Sequence, residues 1–286
     1  MRVTTVRIDG STTSAARVEG DELALLPFPD VGALLQSGPD WRARAAKFQG
    51  ARRPTRGAST CTLVPRPNKI LCLGLNYASH IAEMGRPTPS YPTLFAKYDG
   101  ALIGPLDDIH SPAVSDDLDW EAELAVVLGV PGRHIAVHNA LDHVAGYAVA
   151  NDITVRDWQH RTREFLSGKT FEATTPVGPV LVTPDELPPG ASGLEIGCSV
   201  DGEVMQRSNT SDLLFDVPHT LAYVSTMITL LPGDLILMGT PGGVGAGRTP
   251  PVFLRPGQQL VTWVEGIGEL RNTIVKDQLP RRGGAG

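Results

Sequence analysis

Beyond residue 66 the chain is a succession of short apolar runs, each bounded by glycine or proline: KILCLGL, LAVVLGV, VAGYAVA, GPVLV, LEIGCSV, DLILMGT and QLVTWVEG. Runs of this length match strands, and the one ending AVVLG is apolar enough to be an interior strand. The 31 glycines and 24 prolines supply the turns between them. A sheet-rich α+β body over 67–276 follows. One longer helix is predicted over 210–231, with Ser211 or Asp212 as N-cap and Leu213, Leu214, Val217, Leu221 and Val224 as its apolar stripe. Pro218 should interrupt it.

Residues 1–66 have a different texture and suggest a small β-rich N-terminal domain. VTTVRIDGSTTSAARVEGDELALL alternates apolar and polar positions around two turns, Asp9-Gly10 and Gly20-Asp21, as a strand meander does. DVGALLQSGPDWRARAAKFQG predicts a short helical stretch broken at Gly38-Pro39. ARRPTRGAST reads as a linker, with Arg52, Arg53 and Arg56 solvated. The end of the chain, 277–286, should be a flexible tail. At 286 residues there is room for one large domain and a small appendage.

A net charge of −6 disfavours nucleic acid as a partner, because phosphate recognition needs a basic surface. No run reaches membrane-spanning length, and MRVTTVRIDG lacks the apolar segment of a signal peptide. Cys61, Cys72 and Cys198 are odd in number and widely spaced, which fits neither a disulfide framework nor a CxxC metal site. A reducing cytoplasm is the expected compartment.

Against this background the stretch DWEAELAVVLG is anomalous: two glutamates, Glu121 and Glu123, stand at the entrance to an apolar strand. Withdrawing an ionised carboxylate from water costs on the order of several kcal/mol unless a positive charge meets it. Residues two apart in a strand share a face, so both carboxylates point together while Ala122, Leu124, Val126 and Leu128 pack the other way. A third acid, Asp152, ends the run VAGYAVAND. Three carboxylates without a thiolate make a hard oxygen site suited to Mg²⁺, Mn²⁺ or Ca²⁺. An edge face paired with arginines would also account for the ExE spacing.

Other candidates surround this cluster. In LGLNYASHIAEMG, His80 and Glu83 are spaced to share one face of a short helix, where the carboxylate would raise the basicity of the imidazole. Such a pair also occurs on ordinary surfaces. Lys97, after PTLFA, and Lys169, in SGKTFEA, could receive a substrate carboxylate or polarise a carbonyl, or simply be solvated. Arg156 could tie down a neighbouring acid. GxSxG and HExxH are absent. GTPGGVGAGR lacks the Lys-Ser/Thr of a phosphate loop and is followed by no helical pattern, so its glycines serve a tight turn or a close backbone approach.

The ordered series GLNYxxHxxE, PTLFxK, DWExELAVVLG, GYxVxNDxTxRDxQ, GKxF, GPxLVT, PGDLILxGTPxGVG and EGIGELRN resembles the fumarylacetoacetate hydrolase family, over about 68–275. The resemblance implies a mixed β-roll, usually a homodimer, with Mg²⁺ or Mn²⁺ held by Glu121, Glu123 and Asp152. It also implies a water-activating dyad of His80 and Glu83, a substrate-contacting Lys169, and Lys97, Gln159 and Thr240 in the substrate pocket. One departure stands out: the family's frequent GKxFD reads GKTFEA here, with Glu172 in the acidic place. The implied reaction is hydrolysis of a C–C bond in a β-diketo acid such as an acylpyruvate, through a metal-stabilised enolate. The same site would serve 2-oxo acid decarboxylation or a hydroxymuconate-type isomerisation, and a catalytically inert binder is the remaining class.

Overall fold

The computed structural model describes residues 1–83 and 87–277, the side chains of His80, Ala82 and Glu83 excepted. Of the tail expected at 277–286, all but Asp277 lies outside the described residues. The apolar runs become the strands Ile70–Gly74, Ala122–Leu128, Val144–Asn151, Thr175–Val182, Glu195–Val200, Leu235–Leu237 and Gln259–Val264.

Eleven strands form one mixed sheet. Its path runs Arg52–Pro54, Glu22–Leu25, Thr13–Glu19, Arg2–Arg7, Thr175–Val182, Val144–Asn151, Ala122–Leu128, Leu235–Leu237, Ile70–Gly74 and Thr93–Lys97, with Leu102–Ile103 pairing beside it. A five-stranded sheet, ordered Glu203–Asn209, Glu195–Val200, Gln259–Val264, Gly268–Lys276 and Ile109–Ser111, packs on one face. Leu124, Val126 and Leu128 share a core with Ile196, Val264 and Leu270 from this second sheet. The opposite face buries Ala125, Val127 and Ala148 with Leu34, Leu35 and Trp41 from two short helices. Covered on both sides, Ala122–Leu128 has no exposed residue. This is the sheet-dominated α+β roll expected from the sequence.

The N-terminal meander is present, and its first strand continues the large sheet. Val3 pairs with Leu181, and the Thr4 hydroxyl donates to the Pro179 carbonyl at 2.8 Å. No break in the sheet falls at residue 66. The stretch read as a linker is also partly regular: Arg52–Pro54 is an edge strand on Glu22–Leu25, and Arg52 pairs with Glu19 and Glu22. Charged residues and a proline are what an edge tolerates. The three cysteines are free and buried. Among the described residues no helix is long and apolar enough to cross a membrane.

The helix predicted over 210–231 is shorter. A 3₁₀ turn occupies Thr210–Asp212, and the α-helix is Val217–Met227. Its N-cap is Asp216, whose Oδ1 accepts from the His219 N–H at 2.9 Å, and neither Ser211 nor Asp212 caps it. Pro218 lies in the first turn, where no intrahelical N–H is required, so it starts the helix instead of breaking it. Asp216→Ala should lower stability by about 1 kcal/mol, read by urea denaturation with an unchanged slope.

Candidate active site

The pairing of two strands assembles the acids. Ala122 lies opposite Asn151, and the Asp152 N–H donates to the Glu121 carbonyl at 2.8 Å, which sets Asp152 beside Glu121. Carboxylate oxygens of Glu121, Glu123 and Asp152 lie within 4.8 Å of one another, and all three residues are buried. Strand parity thus gathers the three acids that the sequence singled out.

Three cations sit among them. The Lys97 ammonium donates to Asp152 Oδ1 at 2.5 Å; that of Lys169 donates to Asp152 Oδ2 at 2.8 Å and to Glu121 Oε2 at 2.5 Å. Arg156 takes the remaining Glu121 oxygen at 2.7 Å and reaches Asp119 Oδ2 at 2.7 Å. Asp119, Glu121 and Asp152 are therefore matched one for one by Lys97, Lys169 and Arg156. Glu123 is the surplus charge. Its Oε2 accepts from the Gly239 N–H at 2.7 Å, while its Oε1 is buried with no partner among the described residues.

The titration of the cluster follows from this count. Burial, reinforced by Asp152 and Glu121, pushes the Glu123 carboxyl well above the ordinary range. Burial opposes the charge of Asp152 as well, but Lys169 and Lys97 overcome it and hold that carboxyl low. Lys169 is raised: burial works against its ammonium, and Asp152 and Glu121 outweigh it. A protonated Lys169 is a fixed positive charge and not a proton acceptor.

The orphaned Glu123 oxygen is the observation that tests whether a divalent ion fits. Buried polar atoms rarely lack a partner, and Glu123 belongs with two further acids to an all-oxygen donor set. Hard cations take such donors. Glu121, Glu123 and Asp152 are the residues able to hold one, sharing oxygens with the lysines.

The glycine-rich stretch wraps the cluster. Gly239 has φ +90°, and a Cβ there would lie 2.9 Å from the Asn76 Cβ; glycine lets its N–H reach Glu123. Farther along, the N–H groups of Gly245 and Ala246 donate to Asp119 at 2.7 and 2.9 Å, and the Trp120 indole donates to the Gly243 carbonyl at 3.1 Å. Asp119 is fully buried and ties this loop to the acid strand. Sequence reasoning passed it over, although it shares the parity of Glu121 and Glu123.

A cavity of about 490 Å³ opens over the site. Glu121, Lys169, Gln159 and Thr240 are in its wall. Gln159 accepts from Arg156 at 2.9 Å, and Thr240 accepts from Gln206 at 2.8 Å. Lys97 is not in that wall: it is buried behind Asp152. Glu172 is exposed. His80 and Glu83 belong to the helix Ala78–Glu83, directly after the strand Ile70–Gly74; their side chains are outside the described ones.

A family model for the C-terminal domain of fumarylacetoacetate (FAA) hydrolase matches residues 69–275. The Bos taurus protein named oxaloacetate tautomerase FAHD2A, mitochondrial, is 45% identical over 214 residues, 74% of this chain and 68% of its own. The structure of 5-carboxymethyl-2-hydroxymuconate delta-isomerase from Mycobacterium smegmatis superposes with a TM-score of 0.80 at 32% identity, covering 98% of this chain and 100% of that one. Fumarylacetoacetate hydrolase from Exiguobacterium antarcticum gives a TM-score of 0.85 at 31% identity, covering 97% and 100%.

Proposed function

Because the chain belongs to the fumarylacetoacetate hydrolase family, we propose that it is a divalent-metal-dependent enzyme that interconverts the keto and enol forms of a small 2-oxo acid of the oxaloacetate class. The observation that carries the reading is the buried acid cluster, with one oxygen of Glu123 unpartnered among the described residues, beside a cavity whose wall includes Glu121 and Lys169. The bovine relative, 45% identical, supports tautomerisation over bond cleavage. Glu121, Glu123 and Asp152 would hold Mg²⁺ or Mn²⁺, which when bound supplies Lewis acidity toward the 2-oxo group and its enolate.

The chain's own residues do the rest. Lys169, kept protonated by Asp152 and Glu121, presents an ammonium in the cavity wall as a hydrogen-bond donor to the substrate carboxylate. Arg156 fixes Glu121 and lends its side-chain N–H to Gln159, so both wall residues are held in one orientation. Lys97 acts through Asp152, which it locks from behind. His80, with Glu83 three residues on in the sequence, is assigned the proton transfer at the carbon next to the 2-oxo group. A homodimer is part of the same proposal, and a monomeric mass in solution would remove it.

The test follows the oxaloacetate enol by its ultraviolet absorbance, with Mg²⁺, with Mn²⁺ and with chelator. Metal-dependent acceleration is expected, and His80→Ala should slow it about 100-fold with metal affinity unchanged. Hydrolysis of a β-diketo acid is the second reading, favoured by the likeness to the Exiguobacterium hydrolase and by the spacing of His80 and Glu83. Rapid cleavage of acylpyruvates without acceleration of the enol equilibrium would establish that reading in place of the first.

A further inference from the structure

Two arginines stand in the cavity wall, and they differ in what they are given to do. Arg156 is paired with two carboxylates, Asp119 and Glu121, and also donates to Gln159, although its Nη2 has no partner among the described residues. The guanidinium of Arg248, at the end of the glycine-rich loop, makes one hydrogen bond among the described residues, from Nη2 to the Met205 carbonyl at 3.0 Å. Its Nε is buried with no acceptor among the described residues. The guanidinium carbon lies 5.7 Å from the Trp120 ring centroid, so the group is held over an aromatic face next to the acid strand. No carboxylate of the described chain pairs with it.

A guanidinium that is sterically placed, shielded at Nε and short of acceptors calls for an anion from outside. The loop that carries it is fixed, not free: Asp119 and Trp120 bind its backbone at Gly243, Gly245 and Ala246. Those same two residues precede Glu121, so the floor and Arg248 are held in a constant relation. A 2-oxo acid anchored by its first carboxylate at the floor must turn its other end toward the rest of the wall.

We propose that Arg248 is a specificity-determining residue that receives the second carboxylate of a dicarboxylic 2-oxo acid. The assignment rests on the tautomerase reading and narrows it, because it makes monocarboxylic 2-oxo acids poor substrates. Charge-assisted bonds to a planar guanidinium suit a carboxylate and not an alkyl or aryl end.

Arg248→Met and Arg248→Lys test it by activity and by direct binding. With Mg²⁺ present, calorimetry would follow oxalate, which has no distal group, and 3,3-difluoro-oxaloacetate, which cannot enolise. In Arg248→Met the second ligand should weaken about 10- to 100-fold while oxalate is unchanged, and oxaloacetate turnover should lose mainly in KM. Arg248→Lys should recover part of the loss. Equal binding of both ligands by wild type and Arg248→Met would overturn the assignment. An equal loss of both ligands would make Arg248 a brace for its loop and would also overturn it. A folded wild-type protein that takes up neither ligand would instead bring down the 2-oxo acid reading itself, and the role of Arg248 with it.

Discussion

Asp152→Ala is expected to reduce turnover on the order of 10³-fold and to lower stability by about 3–5 kcal/mol. Asp152 is fully buried, and each of its oxygens meets a different ammonium, Lys97 on one side and Lys169 on the other. Alanine would leave two buried cations short of their shared counter-ion, which is the costly way to break an internal ion pair. It would also remove one of the three oxygen donors of the proposed metal site. Thermal melting and metal-dependent turnover report the two losses separately. A second substitution, Lys97→Met, should return part of the lost stability by removing one stranded charge. The pH profile has a definite sign: the Asp152 carboxyl is held low, so its contribution is present above the unfolded value near 3.9 and vanishes as pH falls through the folded one. A variant that melted with the wild type and turned over normally would show that the cluster has neither role.

The second large effect belongs to Glu123. In the metal-free protein its carboxyl is pushed up by burial, Asp152 and Glu121, so a divalent ion must displace a proton to use it. Metal binding should release up to one proton per site, and below the folded pKa of Glu123 the apparent affinity should rise about tenfold per pH unit. Calorimetric titration in two buffers of different ionisation enthalpy measures the release. Glu123→Gln should abolish it and cut turnover on the order of 10³-fold. For stability the sign is opposite to that of Asp152. The contribution of Glu123 is full below the unfolded value near 4.3 and is lost as pH rises through the raised folded one. Metal-free protein should accordingly lose melting temperature over that interval, and Glu123→Gln should lose less. Binding without any proton uptake or release would contradict the assignment.

Much of this is legible in the chain alone. Apolar runs bounded by glycine and proline marked the strands, because local hydrophobicity and turn chemistry are short-range properties. The two-residue spacing of Glu121 and Glu123 fixed their common side for the same reason. Pairing across the sheet is a long-range property, and there the reading stopped. Nothing near Lys97 or Lys169 says that both end on Asp152, and nothing near Val3 says that it pairs with Leu181. Asp119 was missed because a buried acid bound by backbone N–H groups looks like a surface acid until the loop that supplies them is in place. Pro218 was misjudged because its effect depends on where the helix begins, and the Asp216 cap decides that.

The one-for-one matching of acids and bases around Asp152 has a consequence for the order of arrival. With Glu123 protonated the acid cluster itself is electrically balanced and adds no attraction of its own for an anionic guest. A doubly charged ion held by these acids in place of that proton would tip the balance by one positive unit, in favour of a negatively charged guest. Ion first, acid second, is thus the sequence of events that the arrangement of these side chains favours.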